Sequence, residues 1–175
     1  MDILQLIKEK DEITYSHSLN VSKLCYDFCI YLGKSQEYAS EMRIAGLLHD
    51  IGKLDVPDEI LKKPGALTDK EYEIMKSHTI YSASYLSDAS DLVRNVAWGH
   101  HLSFNGSGYP EKSLSGEKIP EECRIAAICD VFEALTAKRQ YKEAMESSKA
   151  LDLMKNFNQL DPNLFEIFKN MIEEI

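Results

Sequence analysis

This 175-residue chain holds only five histidines, and each falls at the inward edge of a helix-patterned segment. They are His17, His49, His78 and the adjacent pair His100 and His101; Asp50 follows His49 directly, and Asp130 lies further on. A fold that brings them together must deliver imidazole from four separate segments to one place. Imidazole and carboxylate together are the ligand set of divalent iron, manganese, cobalt and zinc. Their convergence points to one buried metal site and to metal-assisted hydrolysis.

Singly, each residue has a plainer explanation. His17 reads as a core residue bonded to a carbonyl, His78 as a cation at a helix C-terminus, and His100 and His101 as residues before a turn. A lone His-Asp pair is common. Asp130 weighs more, because it lies among Ile125, Ala126, Ala127, Ile128, Cys129, Val131 and Phe132. An unpaired carboxylate there costs several kcal/mol. Either an arginine or lysine meets it, or a metal does, and the four imidazole-bearing segments favour the metal.

The periodicity is helical nearly throughout, with no alternating strand pattern and no internal repeat. From about Thr14 to Leu32, residues His17, Val21, Leu24, Cys25, Phe28 and Leu32 share one face. A second helix is predicted over Gln36–Ile51, with Gly52 ending it. Pro57 begins a short helix to Leu61, and Pro64-Gly65 breaks the chain. Thr68 with Glu71 forms a capping-box pattern opening a helix toward His78. Leu92, Val93, Val96 and Ala97 lead to His100 at a helix end, and a glycine-rich loop follows over 105–110. The apolar run 120–137 reads as a central helix, and helices around 147–157 and 162–174 close the chain. The expected fold is all-α, one domain over residues 1–175.

Composition excludes several classes. With 44% hydrophobic and 28% charged residues, the chain is globular. A net charge of −9 argues against binding a nucleic-acid polymer through a basic surface. No apolar run approaches the ~20 residues that span a bilayer, and the start suits no signal peptide, so a cytoplasmic location is expected. Cys25, Cys29, Cys123 and Cys129 form no CxxC pair and read as buried free thiols.

Three segments, LLHDIGKLDVPDEILKKPGALTDKEYEIMKSH, HHLSFNGSGYP and RIAAICDVFEALTAKRQY, resemble the HD-GYP family, a branch of the HD metal-dependent phosphohydrolases. The resemblance runs from His17 to about Lys142. It implies an all-helical bundle of the HD type, a centre of two or three metal ions, and hydrolysis of cyclic di-GMP to linear diguanylate or GMP. By position it assigns His17, His49, Asp50 and Asp130 to one metal, with Asp50 bridging to a second held by His78, His100 and His101. Iron or manganese fits best, with zinc, cobalt or nickel as alternatives. The resemblance also implies that Lys53 lies near the scissile phosphate, that Arg139 and Lys142 hold substrate phosphates, and that Gly108 and Tyr109 shape the substrate loop. Without it, Lys53, Arg139 and Lys142 read as solvated charges.

The chain departs from the family pattern HHExxDGxGYP. Leu102 replaces the glutamate and Asn105 the aspartate; Glu133 stands for an aspartate, and Ile13 occupies the position of a third-metal glutamate. Two metals are therefore expected, with an imidazole acceptor lost at Leu102 and the 102–110 loop open to a protein partner. Two other readings remain: an HD-type hydrolase of a different nucleotide or phosphate ester, and a metal-binding module with little activity.

Overall fold

The structure, a computed structural model, describes residues 3–138 and 144–174, and the regular elements among them are all helical. In order they are α1 (Ile3–Lys10), α2 (Glu12–Tyr31), α3 (Gln36–Leu48), α4 (Asp58–Leu61), α5 (Asp69–Lys76), α6 (His78–Tyr85), α7 (Asp91–Gly99), α8 (Glu121–Thr136), α9 (Ser147–Met154) and α10 (Pro162–Glu173). Short 3₁₀ turns at Ile51–Asp55 and Gly116–Lys118 complete the set. Arg139 and Lys142 lie outside the described residues.

Local chemistry sets the helix ends. Asp11, Ser35, Thr68, Ser90 and Asp161 each accept from a backbone N–H of the first turn, opening α2, α3, α5, α7 and α10. At α5 the capping box is complete, since the Glu71 carboxylate also accepts from the Thr68 N–H at 2.7 Å. Helix α2 stops at Gly33, whose φ of +73° lets the Lys34 N–H reach the Cys29 carbonyl at 3.0 Å.

Helices α2, α3, α7 and α8 pack around the main core, and α10 closes it. Phe168 of α10 meets Phe28 of α2 and Phe132 of α8 edge-on, at centroid distances of 5.0 and 5.2 Å. The four cysteines are free and buried, as their spacing suggests. No helix among the described residues is long and apolar enough to cross a membrane.

The structure differs from expectation at four places. Helix α3 ends at Leu48, with His49 as its C-cap and Asp50 in a non-helical conformation (φ −100°, ψ 10°) before the 3₁₀ turn. Consecutive side chains in a continued helix diverge by about 100°; breaking the helix here lets both face one centre. His78 does not end a helix but opens α6, directly after α5 closes at Ser77. Helix α1 was not foreseen, and α9 is shorter than its pattern suggests, ending at Met154.

Candidate metal centre

Five elements converge on the centre. Helix α2 brings His17, the end of α3 brings His49 and Asp50, α6 brings His78, the end of α7 brings His100 and His101, and α8 brings Asp130. Gly52 allows the closest of these approaches. A Cβ there would lie 2.0 Å from the His78 carbonyl oxygen, so only glycine lets the turn after Asp50 seat against α6. The Gly52 N–H then donates to Ser82 Oγ at 2.8 Å.

His17, His49, Asp50, His78 and His100 are all buried, and the Asp130 side chain is 14% exposed. Two groups of ligand atoms form, His17–His49–Asp50 and His78–His100–His101. Asp50 lies between them. Its Oδ2 is 3.4 Å from His49 Nε2 and 3.8 Å from His17 Nε2, while Oδ1 is 3.3 Å from His78 Nε2 and 3.8 Å from His100 Nε2. Asp130 joins the first group, with Oδ1 2.9 Å from His17 Nε2 and 3.9 Å from His49 Nε2.

Hydrogen bonds fix the ring tautomers. Nδ1 of His49, His78 and His100 donates to the carbonyls of Gly46, Met75 and Val96 at 2.7, 2.7 and 3.0 Å. A carbonyl only accepts, so Nδ1 carries the proton and Nε2 of each neutral ring keeps a bare lone pair. Nε2 of His78 and His100 then face each other at 3.3 Å. Two lone pairs at that distance repel unless a cation lies between or beside them. His49 Nε2 and Asp50 Oδ1 are fully buried and have no hydrogen-bond partner among the described residues. Such orphaned groups are costly without a ligand. The donor set therefore fits divalent cations.

Electrostatics keep these groups ready to bind. Burial pushes His78 down to about 4 and His100 well below its ordinary value, so both stay neutral at pH 7. For Asp50 burial opposes ionisation, but its neighbours, the Lys53 ammonium foremost, outweigh it and hold the carboxyl well below the usual range. His17 differs: burial would lower it, yet hydrogen bonds to Asp130 and Glu133 raise it to about 9. Glu133 was legible only as a carboxylate on a longer arm. The structure places it against His17 Nδ1, with its other oxygen accepting from Asn20 Nδ2 at 2.9 Å. An outer carboxylate of this kind orients a ligating imidazole.

His101 is held by stacking instead. Among the described residues its ring makes no hydrogen bond, and it lies 4.8 Å from the Tyr109 ring at 30°. Gly108 permits this, because a Cβ there would sit 2.3 Å from the His101 carbonyl oxygen, and the Tyr109 N–H donates to that same oxygen at 3.1 Å. Leu102 turns into a small apolar cluster with Ile119 and Cys123, 4% exposed. Asn105 accepts from the Ser107 N–H and donates to Asn158 Oδ1 at 2.8 Å, tying the loop to the α9–α10 connection. Lys53 Nζ lies 2.5 Å from Asp50 Oδ2, at the edge of a cavity of ≈ 150 Å³ that opens above His17, Asp50, His101 and Asp130. Ile13 lines the same cavity and offers no ligand atom.

The HD domain family matches residues 3–164. The chain belongs to the HD domain family. Divalent-metal binding goes with that membership, and the resemblance to the HD-GYP branch stands. This HD domain is 40% identical over 166 residues to a cyclic di-GMP phosphodiesterase of Pseudomonas aeruginosa, a match covering 93% of the chain and 40% of that protein. It is 36% identical over 172 residues to 3′3′-cGAMP-specific phosphodiesterase 1 of Vibrio cholerae, covering 95% of the chain and 40% of that protein. The chain thus spans less than half the length of these relatives. Among solved structures, an HDG"Y"P protein from Bdellovibrio bacteriovorus, Bd1817, shares the fold with a TM-score of 0.72. It is 18% identical, over 92% of this chain and 52% of that one.

Proposed function

We propose that this HD domain is a metal-dependent phosphodiesterase that opens a cyclic dinucleotide, cyclic di-GMP foremost, to the linear dinucleotide or mononucleotides. The observation that carries the reading is the two ligand groups joined by the two oxygens of Asp50 beneath an open cavity. His17, His49, Asp50 and Asp130 would hold one ion; Asp50, His78, His100 and His101 would hold the other. Iron or manganese suits this mixed imidazole–carboxylate set best. Bound there, divalent ions supply Lewis acidity, which activates water and stabilises charge on a phosphoryl oxygen.

The chain's own residues do the rest. Asp50 fixes the spacing of the two groups and balances part of their charge. Lys53 brings a cation to the mouth of the centre, where it neutralises a phosphate of the substrate. Its ammonium also hydrogen-bonds the ribose oxygen that leaves as the phosphorus–oxygen bond breaks, and that oxygen takes up a proton while water oxygen joins phosphorus. Tyr109 and Gly108 hold His101 and close one side of the cleft. Arg139 and Lys142 remain candidate phosphate contacts on the resemblance alone.

The Vibrio relative, named for 3′3′-cGAMP, favours a hybrid cyclic dinucleotide as a second reading. Metal-reconstituted protein incubated with each cyclic dinucleotide, followed by chromatography of the products, tests both. Linear diguanylate or GMP from cyclic di-GMP is the expected result. Cleavage of 3′3′-cGAMP alone would select the second reading, and cleavage of neither would contradict the proposal.

A further inference from the structure

The cleft continues on both sides of the central cavity. One flank, of ≈ 350 Å³, is lined by Glu12, Asn20 and Glu133 and shares His17 with the centre. The other, of ≈ 360 Å³, shares His101 and Asp130 with it and is lined by Tyr72, Tyr109, Ser103, Ser107 and Gln159. Each flank has the size of a small-ligand pocket. Their linings differ: among the described residues the first carries charged groups of both signs (Glu12, Glu133 and Lys138), whereas the second carries the tyrosine rings and several neutral hydrogen-bonding groups.

Tyr72 is the telling residue of the second flank. Helix α5 has no buried residue, and Tyr72 is 48% exposed, so it contributes little to the core. Yet its orientation is fixed. Tyr109 meets it at 6.3 Å and 83°, and Lys76 Nζ lies 5.3 Å from its ring and 5.7 Å from that of Tyr109. A braced, exposed ring beside a phosphodiester site is suited to stack on a planar base. Gln159 stands opposite on the α9–α10 connection, anchored by its carbonyl, which accepts from the Phe104 N–H at 2.8 Å. Its side-chain amide makes no hydrogen bond among the described residues, so both its donor and acceptor are free to pair with a base edge.

We propose that this flank is a nucleobase subsite, with Tyr72 as its stacking face and Gln159 as the reader of the base edge. The inference deepens the phosphodiesterase reading and rests on it for the position of the phosphate. A cyclic dinucleotide lying across the centre then has one base read by stacking on Tyr72.

Calorimetric titration of metal-loaded protein with GMP and with ribose 5-phosphate tests this, because the two ligands share a phosphate and differ in the base. Wild type is expected to bind GMP about ten-fold more tightly than ribose 5-phosphate. Tyr72→Ala should erase that advantage while leaving ribose 5-phosphate affinity unchanged, which also shows that the variant is folded. Tyr72→Phe should retain it, and Gln159→Ala should reduce discrimination between GMP and AMP. No advantage for GMP in wild type, or an equal loss of both ligands in Tyr72→Ala, would overturn the subsite. If the GMP advantage depends on Tyr72 but no cyclic dinucleotide is cleaved, only the proposed activity fails. If cyclic di-GMP is cleaved and the advantage ignores Tyr72, only the subsite fails.

Discussion

Asp50 has no substitute in this arrangement, because its two oxygens face different imidazole groups. Asp50→Ala should therefore lower metal content and abolish turnover together; elemental analysis beside a product assay checks both, and full loading with undiminished turnover would remove Asp50 from the centre. Glu133 acts more selectively, since among the four imidazoles with ring hydrogen bonds only His17 has its Nδ1 against a carboxylate. Glu133→Ala should weaken one ion about 10–100-fold and spare the other, visible as a split in a metal titration. Equal weakening of both would contradict it. Leu102 carries a different lesson. Its departure from the family pattern suggests that restoring a glutamate raises activity, but the side chain is buried with Ile119 and Cys123. Leu102→Glu should instead cost about 2–4 kcal/mol of stability, measured by denaturant unfolding; an unchanged midpoint would show that the new carboxylate reaches water.

Among the elements, α5 positions Tyr72 and leads into His78, and its start depends on the capping box. Thr68→Ala should cost about 1 kcal/mol. Glu71 is held down to about 2, first by its hydrogen bond from Lys63 and then by those of Thr68. A lowered carboxyl stabilises the fold above its unfolded value near 4.5 and loses that contribution as pH falls toward 2. The Thr68→Ala penalty should accordingly shrink over that window, and a penalty independent of pH would show that the box contributes no charge effect. This capping box was legible in the sequence, as were α2, α8 and α10, because long amphipathic or wholly apolar runs leave little choice of period. The break at His49 was not. The apolar pattern of Leu47, Leu48 and Ile51 runs on through it to Gly52, and the close approach of Gly52 to α6 accounts for the earlier stop. Helix α1 was missed because eight residues offer two turns and one buried side chain, Ile7, too little for a periodic signal.

At the scale of the whole molecule, the candidate centre was readable because the histidines are so few and, His17 within α2 apart, stand at or beside helix boundaries. The chain spends them where the fold needs them to meet. What surrounds the centre was less legible: Glu133 lies 116 residues from His17 in sequence, and Tyr72 reads as an unremarkable exposed side chain until Tyr109 is seen against it. Long-range pairs of this kind leave no local pattern. The central claim is that two ion sites share Asp50, and metal stoichiometry tests it most directly. Elemental analysis of protein reconstituted with iron or manganese and freed of loose metal should give two ions per chain. One ion, none, or a third held within the same cluster would contradict the account.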